Sequence, residues 1–402
     1  MNLDILLAHP LKHHAFNLAV GCQKSGVDFK LLTPLYKVGI AKLLSMLPGS
    51  IGKKVKGYFN DDLDSEIVIS PVYWQLKRVF FSWRNVIDFQ EDFDIYVEGL
   101  IRDEKIRPKV LITLQDYMPK TVIAAKRLGI IIWSDQISNR SQKARLRIEN
   151  HFEQLAQDNE DTFIEDHNNR ILQLADLCSA PSKYAAESLI SRINQTCKIN
   201  IVPYGVDTNN FIGKKRVSEN RIRLLARANS VKKGGHLLLE AIEQCGMQLL
   251  KLAKGKSIEI NIVGTLDSYM QNRLANLTLP HGIRINSKII PSLEVVDEFA
   301  QSDLFIMPSL SESMSLMCIE AMQMGLPLII TKECGVDCFL NNQMGVEVES
   351  NVESVCHGIL YAFENMHLWS LWRATCKKNA ADLSWSTYEK NISQLAYKVI
   401  NN

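Results

Sequence analysis

With 402 residues, 46% of them hydrophobic and 22% charged, the chain is long enough for two separately cored domains and is composed like an ordinary globular protein, not a disordered one. A formal net charge of +2 speaks neither for nor against a polyanion partner of the whole surface. Only local patches are informative, and none points to nucleic acid. Nine cysteines, an odd number without a repeating framework, read as reduced thiols of a cytoplasmic protein, and the close pair Cys334 and Cys338 has no second pair beside it to complete a zinc site.

Short apolar runs alternate with helical segments, which predicts α/β layering. The first run, Asn2–Ala8, contains an acid and is neither a signal peptide nor a membrane span. It leads into His9-Pro10-Leu11-Lys12-His13-His14, a loop without glycine at a strand's carboxyl end. A histidine there can hydrogen-bond a sugar or phosphate, with His14 preferred to His13, or can merely cap the next helix. After a strand at Phe29–Thr33 comes a stretch, Tyr36 to Asn60, with no acid. It carries Lys37, Lys42, Lys53, Lys54 and Lys56, interleaved with Leu43, Leu44, Met46, Leu47 and Ile51. Such a segment, 37–56, can rest on an anionic membrane or pack as a solvated helix on its own domain, and Pro48-Gly49 argues against one long interfacial helix. Asp92-Phe93-Asp94 imitates an aspartate-x-aspartate metal motif but lies in a predicted helix, so it reads as a solvated acidic face. Strands follow at Val110–Thr113, Ile130–Trp133 and Leu177–Ala180. Beyond the turn-rich Pro203-Tyr204-Gly205-Val206-Asp207 a second group follows at Ile222–Ala226, Ile258–Val263, Ile283–Ile285, Leu304–Met307 and Leu328–Thr331. Two groups of parallel-type strands predict two doubly wound domains, with ligands in the cleft beyond the strands' carboxyl ends.

Two constellations carry chemistry. Glu312 and Glu320 stand eight positions apart between the strand Leu304–Met307 and the stop Gly325-Leu326-Pro327. That spacing predicts both carboxylates on one face of a helix start, where Ser313 and Ser315 sit beside unpaired N–H groups able to meet an anion. Carboxylates are suited to the hydroxyl donors of sugar and ribose. Arg227, with Lys232-Lys233-Gly234-Gly235 after it, offers a guanidinium fork and a mobile point charge to a diphosphate, or is simply a solvated basic turn.

The stretch Pro308-Ser309 through Glu312, Ser313-Met314-Ser315, Glu320-Ala321-Met322 and Gly325-Leu326-Pro327 resembles the signature of the retaining GT-B glycosyltransferases of the family 4 (group 1) type. It departs from that pattern in having Ser313-Met314-Ser315 where glycine-phenylalanine-glycine is usual. Ala175–Ser182 is similar to the family's last N-domain strand and serine-capped helix. Val202–Asp207 resembles its interdomain turn with Tyr204 replacing asparagine, and Ser384-Trp385-Ser386 its returning helix. The resemblance implies a GT-B fold of two Rossmann-like domains facing a cleft. Residues 1–204 would form the acceptor side, 205–384 the donor-binding side, and 385–402 a helix crossing back.

It further implies sugar transfer from a nucleotide sugar with retention and without a metal or other cofactor, to a saccharide or glycolipid acceptor of bacterial-type surface polysaccharide or glycoconjugate synthesis. In that frame Glu312 holds donor-sugar hydroxyls and Glu320 the ribose diol. Arg227 and Lys233 grip the diphosphate, with Lys232 the alternative because the spacing is one residue longer than usual. The Ser313-Met314-Ser315-Leu316 turn assists through the backbone N–H groups of Ser315 and Leu316, and Ile290 lies by the base. Asp135, where many members place a histidine, accepts from the acceptor hydroxyl or steadies charge on the sugar ring, or is a structural turn; Asn139 and Arg140 shape its loop. The enzyme would be cytoplasmic, peripheral at the inner face of a membrane. A non-catalytic nucleotide-sugar-binding subunit and a nucleotide-sugar epimerase of the same fold stay open as alternatives.

Overall fold

The computed structural model describes residues 1–12, 14–80, 86–115, 117–137, 159–208, 220–291 and 294–401; His13, Asn139 and Arg140 lie outside them. Seven strands form the first sheet: β1 (Asn2–Ala8), β2 (Phe29–Leu32), β3 (Val68–Ile69), β4 (Arg107–Leu114), β5 (Ile131–Asp135), β6 (Leu177–Ala180) and β7 (Lys198–Ile201). Their spatial order is β3-β2-β1-β4-β5-β6-β7, every pair parallel. The second sheet holds β8 (Arg221–Ala226), β9 (Ser257–Val263), β10 (Ile283–Lys288), β11 (Leu304–Met307), β12 (Leu328–Thr331) and β13 (Gly345–Val348), in the order β10-β9-β8-β11-β12-β13 and again all parallel. Helices on both faces explain why β6, β11 and β12 are buried at every position and almost wholly apolar.

Each sheet has one switch point, where connections leave in opposite directions: between β1 and β4 in the first, between β8 and β11 in the second. Ligand crevices open at such points, beyond the carboxyl ends of the strands. His14 follows β1, Arg227 follows β8, and Glu312 follows β11, so the sequence candidates fall at the two switch points.

The chain crosses between the sheets twice at nearly one place. Val206 N–H donates to Leu383 O at 3.1 Å, and Trp385 N–H donates to Val206 O at 3.4 Å. The helix Trp385–Asn401 then lies on the first domain, where Tyr388, Ile392 and Ala396 enter the core built on β1 and the helix Ala15–Lys24. Gly21 permits this approach, since a Cβ there would lie 2.6 Å from the Ile392 side chain. Lys24 pairs with Glu389 across the same seam.

One expectation changes. Asp92 is exposed and pairs with Lys77 at 2.6 Å, but Asp94 is buried and is not part of a solvated face. It accepts from Lys120 N–H at 2.8 Å, Thr121 N–H at 2.9 Å and Thr121 Oγ1 at 2.7 Å, tying the helix Val86–Arg102 to the start of the helix Pro119–Arg127. Burial raises the Asp94 pKa despite these donors. The basic stretch forms two short helices, Ile40–Leu44 and Ser50–Lys56. Among the described residues no helix is long and apolar enough to cross a membrane.

Candidate functional site

On the second domain the site begins where β8 ends. Arg227 N–H donates to Ile306 O at 3.1 Å, and its Nη1 donates to Val263 O at 2.8 Å, which fixes the guanidinium above the strand ends. The following turn is closed by Gly234, whose φ of +72° is left-handed. A Cβ there would come within 1.8 Å of Pro308 O, so both the conformation and the space require glycine. The turn is sewn to the β11 loop: Leu310 N–H donates to Lys232 O at 2.9 Å and Ser309 Oγ to the same oxygen at 3.1 Å. This leaves the Lys232 side chain exposed, whereas Lys233 is half-buried with its ammonium on Glu312 Oε1. That oxygen also lies 3.3 Å from Ser309 Oγ, whose single proton can go to it or to Lys232 O.

Glu312 is not on the helix that the spacing predicted. The helix spans Leu316–Gln323, and Glu312 sits in the loop before it, held by its own N–H donating to Glu333 O at 3.0 Å. Glu320 lies one turn into the helix. Burial pushes its pKa up to about 7, against the pull of the Arg227 charge. A half-buried ion pair, Lys233 with Glu312, thus shares one switch point with Arg227 and with Glu320, the carboxyl on which the Arg227 charge acts.

The serine turn is compatible with its backbone. Ser315 has φ −77°, ψ 109°, an extended N-cap that any residue adopts, and its Oγ accepts from Cys318 N–H at 3.4 Å. Its backbone N–H donates to Cys334 O at 2.8 Å, so it is not available to a phosphate in this arrangement. The N–H groups at the start of the helix without an intrahelical acceptor are those of Leu316 and Met317. Ser313 Oγ donates across to Ile137 O at 2.7 Å, and Ser313 O accepts from Ser182 Oγ. Met314 turns its side chain into the first domain's core, where its Sδ lies 3.3 Å from Tyr204 N. The turn therefore bridges the domains, and Met314 has only its backbone to offer a ligand. Lys183 N–H donating to Asp337 Oδ2 at 2.7 Å makes a further bridge. Ile290 packs on the second domain's core beside exposed Ile289.

On the first domain the structure brings two predicted residues together. His14 Nε2 and Asp135 Oδ2 are 2.6 Å apart. A carboxylate only accepts, so the proton of this bond belongs to Nε2 and the lone pair is left on Nδ1. His14 precedes the helix Ala15–Lys24 without making a side-chain cap bond. The other Asp135 oxygen accepts from Ser179 Oγ, which itself accepts from Trp133 Nε1 at 2.7 Å. Both carboxylate oxygens of Asp135 are thus engaged, and the group that keeps some exposure is the His14 ring. Tyr204, from the interdomain turn, places its hydroxyl 3.4 Å from His14 Nε2, and Tyr388 of the returning helix faces the same ring. Burial and the Asp135 charge push both tyrosine hydroxyls up, keeping them protonated. Ser179, Trp133, Tyr204 and Tyr388 had no role in the sequence reading. The one available signal was a serine inside the apolar strand Leu177–Ala180, in register with Asp135. Among the described residues no group of three or more His, Cys, Asp or Glu could hold a metal ion.

Residues 206–382 match the family model for glycosyl transferases group 1. Over 172 residues the chain is 25% identical to MMP alpha-(1->4)-mannosyltransferase of Mycolicibacterium hassiacum, an alignment covering 42% of this chain and 40% of that protein. The chain spans about two-fifths or less of the length of the curated relatives it matches. Among solved structures it is similar to sucrose-phosphate synthase of Thermosynechococcus elongatus (TM-score 0.67, 13% identity, 99% of each chain). It is also similar to Anabaena Alr3699/HepE in complex with UDP-glucose (TM-score 0.62, 13% identity, 98% of this chain and 99% of that one). These likenesses show the GT-B fold of two Rossmann-like domains.

Proposed function

We propose that this chain is a glycosyltransferase that moves a sugar from a nucleotide-sugar donor to a hydroxyl of a saccharide or glycolipid acceptor, with retention of anomeric configuration and without a metal ion. The observation that carries the reading is the convergence at the second switch point of the Lys233–Glu312 ion pair, the Arg227 guanidinium held on Val263 O, and the Glu320 carboxyl on which the Arg227 charge acts. The family-model match over that half and the UDP-glucose held by a protein of the same fold support it.

In this reading Arg227 and Lys233 receive the diphosphate, and the N–H groups of Leu316 and Met317 at the helix start add to them. Lys233 leaves Glu312 for phosphate, freeing the carboxylate for donor-sugar hydroxyls. Glu320 accepts from the ribose diol, and Ile290 borders the base. As the bond between the anomeric carbon and the diphosphate oxygen breaks, its electron pair goes to that oxygen, and the fixed cations stabilise the growing charge. The acceptor oxygen bonds the anomeric carbon on the same face, and its proton passes to the departing oxygen. His14, through Nδ1, orients the sugar or acceptor hydroxyl. Asp135 holds His14 in the required tautomer and does not itself reach the acceptor. Lipid-linked or surface-polysaccharide acceptors at the cytoplasmic side of a membrane fit the basic segment near His14.

The test is nucleotide release from a panel of nucleotide sugars in the presence of a chelator, comparing wild type with Glu320→Ala and Lys233→Ala. Slow release from one donor, lost in both variants, is expected. Tight donor binding without release, even with glycolipid acceptors present, would instead identify a nucleotide-sugar-binding subunit.

A further inference from the structure

The two short helices after β2 show an unusual division between their faces. Ala41, Ser45 and Val55 turn inward; Ala41 and Val55 meet Leu35 and Val79 in a small satellite core. Ala41 N–H donates to the buried Gln75 Oε1 at 2.9 Å, fixing the pair to the helix Val72–Phe80. Gly52 lets the second helix sit closely on the loop that joins it to the first, because a Cβ there would lie 2.0 Å from Leu47 O. What faces outward is apolar: Leu43 is 65% exposed, Met46 69%, Leu47 47% and Ile51 36%.

Exposed lysines are interleaved with these residues in the sequence. Lys42, Lys53 and Lys56 are exposed, and no carboxylate of the described residues pairs with them. Of the acids that follow, Asp61 lies 3.6 Å from Lys37 and Asp64 accepts from Glu66 N–H. Protein-binding surfaces are depleted in lysine and enriched in aromatics and arginine. Flexible aliphatic side chains interleaved with unpaired lysines fit a different surface, one with anionic headgroups above an apolar layer.

We propose that the outward face of residues 40–56 docks on an anionic bilayer, with Leu43, Met46, Leu47 and Ile51 entering the headgroup boundary and the lysines meeting lipid phosphates. Lys12, in the loop between β1 and His14, donates to Gly57 O, so the second of these helices ends against the loop that leads to His14. An acceptor headgroup anchored in the same bilayer would therefore be presented to His14; that last step rests on the glycosyltransferase reading, whereas the docking does not.

The test is co-sedimentation of the full chain with phosphatidylcholine vesicles, with or without phosphatidylglycerol, at roughly physiological salt. Three variants are compared with wild type: Leu43→Ser/Met46→Ser/Leu47→Ser, Lys42→Glu/Lys53→Glu/Lys56→Glu, and the control Lys251→Glu/Lys254→Glu/Lys256→Glu on the other domain. Wild type and control are expected to bind only phosphatidylglycerol vesicles, and each patch variant to lose roughly tenfold or more in partition. Since Leu43 and Met46 are about two-thirds exposed, the pair Leu43→Ser/Met46→Ser serves as a milder variant that cannot disturb the core. No binding by wild type overturns the proposal. So does undiminished binding by the serine variant, which would mean mere electrostatic adhesion, or an equal loss in the control. Vesicle binding that ignores both patch variants would leave the face to a protein partner. Nucleotide release measured on the same proteins keeps the enzymatic reading separate: its failure throughout would leave the vesicle result standing.

Discussion

Replacing Glu320 by glutamine should make the unliganded protein more stable, by an amount that grows with pH. Burial raises the carboxyl from 4.5 to about 7. A raised folded-state pKa means that the stabilising contribution belongs to the protonated form: fully present below the unfolded value, and lost as pH rises through about 7. Keeping the charge in place at about pH 8 then costs about 3 kcal/mol relative to the unfolded chain. That figure is a ceiling, because the half-buried side chain keeps some contact with water. Glutamine has the same shape and never ionises. Between about pH 5 and about pH 8 its advantage over wild type should therefore widen by about 2 kcal/mol. Urea unfolding followed by tryptophan fluorescence across that range measures the difference directly. The same carboxylate should be charged when it accepts from a ribose diol, so wild-type affinity for a nucleotide sugar, whose diphosphate diester does not titrate in this range, should rise with pH below about 7 while the variant's stays flat. A stability difference that does not change with pH would refute the argument, since it would place the Glu320 charge in an environment as good as water.

Three further substitutions probe other residues. Lys233→Ala, which removes the ammonium seated on Glu312, should lower nucleotide release by about a hundredfold, whereas Lys232→Ala at the exposed neighbour should stay within about twofold in the same release assay. Asp94→Ala, which leaves the start of the Pro119–Arg127 helix without its buried acceptor, should cost about 2–3 kcal/mol in urea unfolding with no effect on nucleotide affinity.

The strands that lie between two layers of helices were legible because burial on both faces leaves an uninterrupted apolar run; Leu304–Met307 and Leu328–Thr331 were read to the residue. The strands that escaped notice, β3, β7 and β13, are all outermost in their sheets. Lys198–Ile201 shows no fully buried position, and in β13 the exposed Glu347 interrupts the apolar run. At the site, residue types and spacing pointed to Glu312, Glu320, Arg227 and the lysine pair. They could not show that Lys233 and not Lys232 reaches Glu312, which depends on the way Ser309 and Leu310 hold the Lys232 carbonyl. Asp94 was misread because a carboxylate on a helix usually faces water; its partners, Lys120 and Thr121, lie 26 and 27 residues away. The pairing of His14 with Asp135 spans 121 residues and follows only from the order of strands in the sheet.

The seam between the helices Ala15–Lys24 and Trp385–Asn401 sets a condition on how the protein comes into being. Lys24 and Glu389, which meet there, are separated by 365 residues of chain. During synthesis the whole second sheet must emerge before Tyr388, Ile392 and Ala396 can cover the face around Gly21. The first domain therefore waits, with an apolar face uncovered, while its neighbour is made and folded. Where domains ordinarily fold in the order in which the ribosome delivers them, here the first domain to be started is the last to be completed.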